Sequence, residues 1–230
     1  MVKRLDPSFV KNLCLKSGFD LVGITEKDPS WNPPSWTNSI IVLAVATPDE
    51  ALDYTIHIKY DGVDFWSKWI YEYLMARSSL VCFRLEKQGI RARPLTFMDS
   101  WEVILLKNAA VKAGLGIIGK NNLLVTPQYG PRVRLTAIFT DAEIEPDKEL
   151  SEDFCSNCNL CIKACPTGAL SENGFTRDKC IAEFDPSEEM LRLQRKMVKY
   201  LTNYTRLQCR VCMDVCPVGR DIKIENIEGF

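Results

Sequence analysis

Hydrophobic positions recur at helical spacing, then at strand spacing, and the two periods alternate along the N-terminal part of the chain. Asp6-Pro7 marks a helix start, a capping carboxylate followed by proline at the first helical position. Val10, Leu13, Cys14 and Leu15 form an apolar stripe that Gly18 closes. Asp20 to Thr25 reads as a short strand, and the paired prolines of Trp31-Asn-Pro-Pro-Ser-Trp36 make a rigid loop. Ser39 to Ala46 is uncharged and β-branched, the pattern of a fully buried strand. A loop carrying His57 and Lys59-Tyr60-Asp61-Gly62 follows. Phe65, Trp66, Trp69, Ile70, Tyr73, Leu74, Val81 and Leu85 recur at three- and four-residue steps, predicting a long helix over 63–88 with an aromatic stripe in the core. Gly89 ends it, and Ile90 to Leu95 reads as an edge strand with a late proline. Met98-Asp99-Ser100 caps a further helix along which Val103, Leu106, Ala110 and Val111 align. Arg132 to Thr140 alternates as a strand with one polar face, and the acidic stretch from Asp141 to Asp153 reads as a linker.

At 230 residues, the pattern divides into one large domain over 1–148 and a small cofactor-stapled one over 149–230. Hydrophobic residues make up 46 %, ample for a core, and the net charge of −1 leaves no global basic field to recruit nucleic acid or an anionic membrane. No apolar run approaches transmembrane length, since Ser39 to Ala46 is strand-sized. Met1-Val-Lys-Arg-Leu has neither a signal-peptide apolar region nor a twin-arginine signal, so a cytoplasmic, reducing setting is expected.

That setting matters because the chain has ten cysteines. Cys155-Ser-Asn-Cys158-Asn-Leu-Cys161-Ile-Lys-Ala-Cys165-Pro166 has the spacing C-x2-C-x2-C-x3-C-P. This is the run that holds a [4Fe–4S] cluster and lends its fourth cysteine to a second one. Its second half repeats as Cys209-Arg-Val-Cys212-Met-Asp-Val-Cys216-Pro-Val-Gly, with Arg206 where the first copy has Cys155. Cys180, isolated between the runs, is the natural replacement. The assignment is therefore Cys155, Cys158, Cys161 and Cys216 on one cluster, and Cys165, Cys180, Cys209 and Cys212 on the other. Zinc knots lack the x3-C-P tail, and disulfides do not suit a chain with no export signal. Cys14 and Cys82 lie among apolar neighbours in helical patterns and read as buried structural thiols.

The second informative stretch is Ala113-Gly-Leu-Gly-Ile-Ile-Gly-Lys-Asn-Asn-Leu-Leu-Val-Thr-Pro-Gln-Tyr-Gly-Pro131. Gly114, Gly116 and Gly119 remove three Cβ atoms just after a helix, which permits positive φ or close approach of backbone to a ligand. It follows a helix rather than a strand and lacks a lysine-serine phosphate loop, so dinucleotide and phosphate-loop readings fail. A plain glycine-rich turn remains the other reading.

This stretch, with the strand ending Phe139-Thr-Asp141, resembles the corrinoid-binding segment of epoxyqueuosine reductases, which share with reductive dehalogenases a cobalamin domain followed by a double-cubane module. Ser17 to Ile24 and Ser39 to Ala46 are also similar, so the likeness covers most of the chain and is sharpest over 109–141 and 155–217. The resemblance implies an α+β fold, a helix-flanked sheet of the cobalamin-binding reductase type followed by a ferredoxin-like double [4Fe–4S] module. It implies base-off cobalamin reduced by the nearer cluster, held at Gly114, Gly116, Gly119, Lys120, Asn121, Asn122, Thr126 and Tyr129. No D-x-H-x-x-G motif is present and His57 is not needed as a ligand. Asp99-Ser100 matches the family's proton-donating aspartate, whose other reading is a helix cap.

Three departures stand out. The chain ends soon after Cys216-Pro217, where the tRNA reductases continue; Gln128 replaces a glutamate before Tyr129-Gly130; and Asp99 lies one residue further than expected from Gly114. They argue against a tRNA substrate more than against the corrinoid. The expected activity is a cytoplasmic corrinoid-dependent reductase of a small substrate or modified nucleoside, fed by an external ferredoxin or flavodoxin. The alternatives are an electron carrier that reactivates another corrinoid protein, and an iron–sulfur reductase that binds FMN instead of cobalamin.

Overall fold

The computed structural model describes residues 3–48, 55–96, 99–100, 102–182, 187–197, 205–206 and 208–220. The chain opens with β1 (Arg4–Leu5) and α1 (Pro7–Leu15). Asp6 caps α1 by accepting from the Phe9 amide at 2.9 Å, and Pro7 takes the first helical position, as the sequence predicts. Next come β2 (Leu21–Thr25), β3 (Ser39–Ala46), β4 (Thr55–Tyr60), β5 (Val63–Lys68), α2 (Trp69–Glu86) and β6 (Ala92–Pro94). They are followed by α3 (Leu106–Lys112), β7 (Ile117–Ile118), β8 (Leu124–Val125), β9 (Val133–Thr140) and β10 (Glu143–Ile144).

The main sheet is antiparallel, in the order β2-β3-β9-β6. β3 pairs with β9 along its whole length, from Ser39 opposite Thr140 to Ala46 opposite Val133. Being flanked on both sides explains why it carries no charge. Its residues alternate between two cores. Ile41, Leu43 and Val45 join Val10, Ile70, Leu74 and Leu85 from α1 and α2; Ile40, Val42 and Ala44 join Ala109, Ala110 and Phe139 below α3. Each fully buried aliphatic side chain contributes about 1.5–3 kcal/mol of burial, so both faces need a helical cover. The result is a mixed α/β fold.

Five sequence readings change. The loop around His57 is a hairpin, β4 pairing with β5 across Asp61-Gly62, both at positive φ (49° and 78°). Asp-Gly is a strong hairpin signal because a type I′ turn needs left-handed backbone at both central residues. The predicted helix over 63–88 therefore starts at Trp69, and its first turn-and-a-half is β5. α3 starts at Leu106 with no side-chain cap, so Asp99 does not cap it. The stretch read as a linker is tied down: β10 runs parallel to β1, and the Asp147 carboxylate accepts from the Ile24 amide at 2.8 Å and from Lys11 at 2.5 Å. The polar face of β9 is also covered, with Thr136 and Thr140 buried.

The cysteine-rich part holds α4 (Leu160–Ala164), a small hairpin of β11 (Leu170–Ser171) and β12 (Gly174–Phe175), a 3-10 turn at Arg177–Lys179, α5 (Glu188–Met197), β13 (Thr205–Arg206) and α6 (Val211–Asp214). α4 and α6 are the two copies of the sequence repeat, and they pack against each other. β13 extends the β4–β5 hairpin, and buried Arg210 donates to the Thr47 carbonyl at 2.9 Å. Among the described residues no helix is long and apolar enough to cross a membrane.

Candidate cluster and cofactor site

Cys155, Cys158, Cys161 and Cys216 line one cavity of about 30 Å³, together with Asn121, Val125 and Phe154. Lys120 braces it from the larger half. Its amide points at Cys155 Sγ (3.4 Å), and its Nζ donates to the Ser156 carbonyl (2.8 Å) and to Asn159 Oδ1 (2.7 Å). Burial raises the thiol pKa of Cys161 and of Cys216, the latter drawn part of the way back by the Val218 amide and the Arg132 guanidinium.

Cys165, Cys180, Cys209 and Cys212 line a second cavity, of about 430 Å³. Burial, then the neighbouring thiols, pushes Cys212 up to about 12, and burial raises Cys209 as well. Burial acts on Cys165 too, but amide donors from Thr167, Leu170 and Ala169 outweigh it and lower that thiol. A thiol in such a place ionises when a cation takes the proton's position, so binding iron releases protons. Among the described residues no group of three His, Cys, Asp or Glu side chains could hold a single metal ion; the eight thiols surround two spaces. Four soft thiolates about each space are the donor set that suits an iron–sulfur cubane.

The larger cavity extends well beyond its cysteines. Leu74 and Leu95, the 121–124 segment, and Val133 to Thr136 of β9 form its other walls. Four cations, Lys68, Lys107, Arg134 and Arg177, line it, with no Asp or Glu among the described lining residues. Lys107 donates to the Asn122 carbonyl at 2.6 Å, and burial, then Arg177, lowers its pKa. An apolar cavity of this size with a few convergent polar groups is the ordinary form of a cofactor site.

The glycine stretch divides. Asn121 and Asn122 line the large cavity; Gly114, Gly116, Gly119, Lys120, Thr126 and Tyr129 do not. The glycines serve close backbone packing instead: an added Cβ would lie 2.4 Å from Lys148 O at Gly114, 2.3 Å from Val125 O at Gly116, and 2.6 Å from Val125 Cγ2 at Gly119. Gly116 and Gly119 let β7 fold back on β8, and Gly114 lets the chain at Lys148 lie close against it. Thr126 is buried and receives the Tyr129 amide on its hydroxyl at 3.1 Å, closing the turn to Gly130. Asp99 also lies off the cavity wall, its carboxylate 2.9 Å from Arg93 Nη2, while its neighbour Ser100 and nearby Thr96 line the cavity. The four cavity cations and Arg132 escape a motif search because each sits singly in the sequence. The hint for Arg132 is its place at the head of the strand predicted over 132–140.

Residues 154–219 match the 4Fe-4S double cluster binding domain family. The chain is 33 % identical over 190 residues to an epoxyqueuosine reductase of Listeria monocytogenes, covering 79 % of this chain and 48 % of that protein. It is 34 % identical over 114 residues to a tetrachloroethene reductive dehalogenase of Desulfitobacterium hafniense, covering 46 % of this chain and 21 % of that one. A solved epoxyqueuosine reductase with an epoxyqueuosine-modified tRNA-Tyr stem loop superposes with a TM-score of 0.67 at 22 % identity, over 93 % of this chain and 65 % of that one. The chain spans about half the length of the curated epoxyqueuosine reductases it matches. This chain is thus similar in sequence to epoxyqueuosine reductases and to reductive dehalogenases, oxidoreductases both, and its cysteine-rich part matches the double-cluster binding domain family.

Proposed function

We propose that this chain is a corrinoid-dependent iron–sulfur reductase, working in a reducing cytoplasm on a small substrate or a modified nucleoside. In this reading 1–148 holds the corrinoid and 149–230 the two clusters. The observation that carries it is the shared cavity: Cys165, Cys180, Cys209 and Cys212 line the same 430 Å³ space as Asn121, Asn122 and the β9 wall. A cofactor there borders the second quartet directly, and the apolar walls suit a flat macrocycle. A bound corrinoid would supply the low-valent cobalt that reduces the substrate.

The rest is done by the chain. Cys155, Cys158, Cys161 and Cys216 hold the cluster that takes electrons from an external ferredoxin or flavodoxin. Cys161 lies in α4 and Cys165 is the residue that ends it, four positions on, so the two clusters are neighbours through one short stretch of backbone. Asp99 delivers the proton. Its pair with Arg93 is half exposed and worth about 0–1 kcal/mol, weak enough to open when the carboxyl turns toward the cavity that Ser100 already borders. The cationic lining supports a substrate bearing negative charge, and the tRNA-bound relative returns RNA to the candidates.

Anaerobic purification with quantitative extraction tests the reading. About eight irons and one corrin per chain are expected. One flavin and no corrin would replace cobalamin with FMN. Clusters with neither cofactor, and no turnover without a partner corrinoid protein, would make the chain an electron carrier.

A further inference from the structure

Cys216 reaches the first quartet from far along the chain, and a buried cation grips the turn that carries it. Arg132 immediately precedes β9 and is 6 % exposed. Its guanidinium donates to the carbonyls of Met213 (2.7 Å), Cys216 (3.2 Å) and Val218. These acceptors take its protons, and among the described residues no carboxylate lies within ion-pair distance of it, although Cys216 and the Asp214 carboxylate act on it through space. A buried cation left without a counter-charge is strongly unfavourable. Two ionisable groups lie on the gripped turn: Asp214, which pairs with Arg210 at 3.5 Å, and Cys216. The backbone around it is closely packed: a Cβ at Gly130 would lie 2.1 Å from Val218 O, and one at Gly219 2.4 Å from Gly130 N. The turn cannot drift without displacing Arg132.

We propose that Arg132 is a positioning residue of the first cluster, which holds Cys216 in reach of Cys155, Cys158 and Cys161 and raises that cluster's reduction potential. The proposal rests on the reading that Cys216 completes this quartet. A cubane with four thiolates is an anion, and one more electron makes it more negative. A fixed cation beside one ligand, in a low-dielectric setting, therefore favours the reduced form over the oxidised one. The first cluster then takes electrons from a weaker donor than it otherwise could. The cluster adds to the negative charge that Asp214 already presents to Arg132.

The test compares the full-length holoprotein with Arg132→Gln and Arg132→Lys, using iron analysis and EPR-monitored redox titration. Glutamine keeps a donor and removes the charge; lysine keeps the charge and loses the planar fork. In Arg132→Gln the first cluster should titrate at a more negative potential, largely oxidised where the wild-type cluster is half reduced. Arg132→Lys should move back toward wild type, and the second cluster should stay unshifted in both. Loss of the first cluster alone in Arg132→Gln, leaving about four of about eight irons, supports the same role if lysine restores it. A wild-type potential with full iron in Arg132→Gln overturns the proposal. So does an equal shift of both clusters, or loss of both. Cys216→Ser tests the reading beneath it: if the second cluster's signal vanishes instead of the first's, the ligand assignment fails independently of Arg132.

Discussion

The two cysteine quartets come from one repeated motif yet sit in opposite surroundings. Cys155, Cys158, Cys161 and Cys216 enclose about 30 Å³ and are gripped from the larger half by Lys120 and Arg132. Cys165, Cys180, Cys209 and Cys212 open onto about 430 Å³. A closed site suits a relay, which needs a fixed potential and no substrate. An open one suits delivery to a bound cofactor. The difference does not lie in the motifs, which are near copies, but in what the N-terminal sheet packs against each.

The sharpest way to break the comparison is Cys180→Ala, since Cys180 belongs to neither run and only the open quartet contains it. About four of about eight irons should be lost, as in Cys209→Ala. Full iron with an unchanged reduced EPR spectrum would remove Cys180 from the site.

Asp99→Asn probes the delivery end. Asparagine keeps the side-chain shape but donates no acidic proton, so steady-state turnover should fall by roughly 10²-fold or more, the scale of general-acid loss. Clusters and corrinoid should be unaffected. Wild-type turnover would reduce Asp99 to a partner of Arg93.

Gly116→Val asks whether the glycine stretch serves the cavity or the fold. A Cβ there meets the Val125 carbonyl at 2.3 Å, so the β7–β8 hairpin must open. Stability should drop by about 2 kcal/mol or more, with corrinoid uptake lost as a consequence. Unchanged melting with uptake abolished would instead make Gly116 a direct corrinoid contact.

The smallest effect contrasts both quartets with the two core thiols. Burial pushes Cys14 and Cys82 up to about 12, above the ordinary thiol value of about 8.5. Between those values the unfolded chain releases protons that the folded one keeps, so the contribution to stability is complete below pH 8 and declines above about 9. The slope is at most about 1.4 kcal/mol per pH unit for each thiol. Melting temperature should fall from pH 8 to pH 10, and less so in Cys14→Ala. An identical pH profile in that variant would show that Cys14 ionises as easily folded as unfolded.

Much of this was legible without coordinates. The α1 cap at Asp6-Pro7 and the buried β3 follow from local stereochemistry and from an uncharged run that only a central strand can use. The hairpin at Asp61-Gly62 eludes periodicity because its aromatic residues also fit a helical step. The turn dipeptide was the better guide, being a backbone constraint where the periodicity was a coincidence of spacing.

The sequence by itself determined the eight cysteines, their division between two runs and the isolated Cys180, because cubane ligation demands short fixed spacings that the chain displays directly. It also marked 113–131 as a stretch whose missing Cβ atoms permit positive φ or close approach to a ligand, with a plain glycine-rich turn as the other reading. Only the tertiary structure decided what approaches what: Gly114, Gly116 and Gly119 meet backbone and side chains of the protein, Asp99 meets Arg93, and Arg132 meets the turn of Cys216. Spacing encodes contacts made within a few residues, whereas a contact 84 residues apart along the chain exists only once the sheet and the cluster module have packed together.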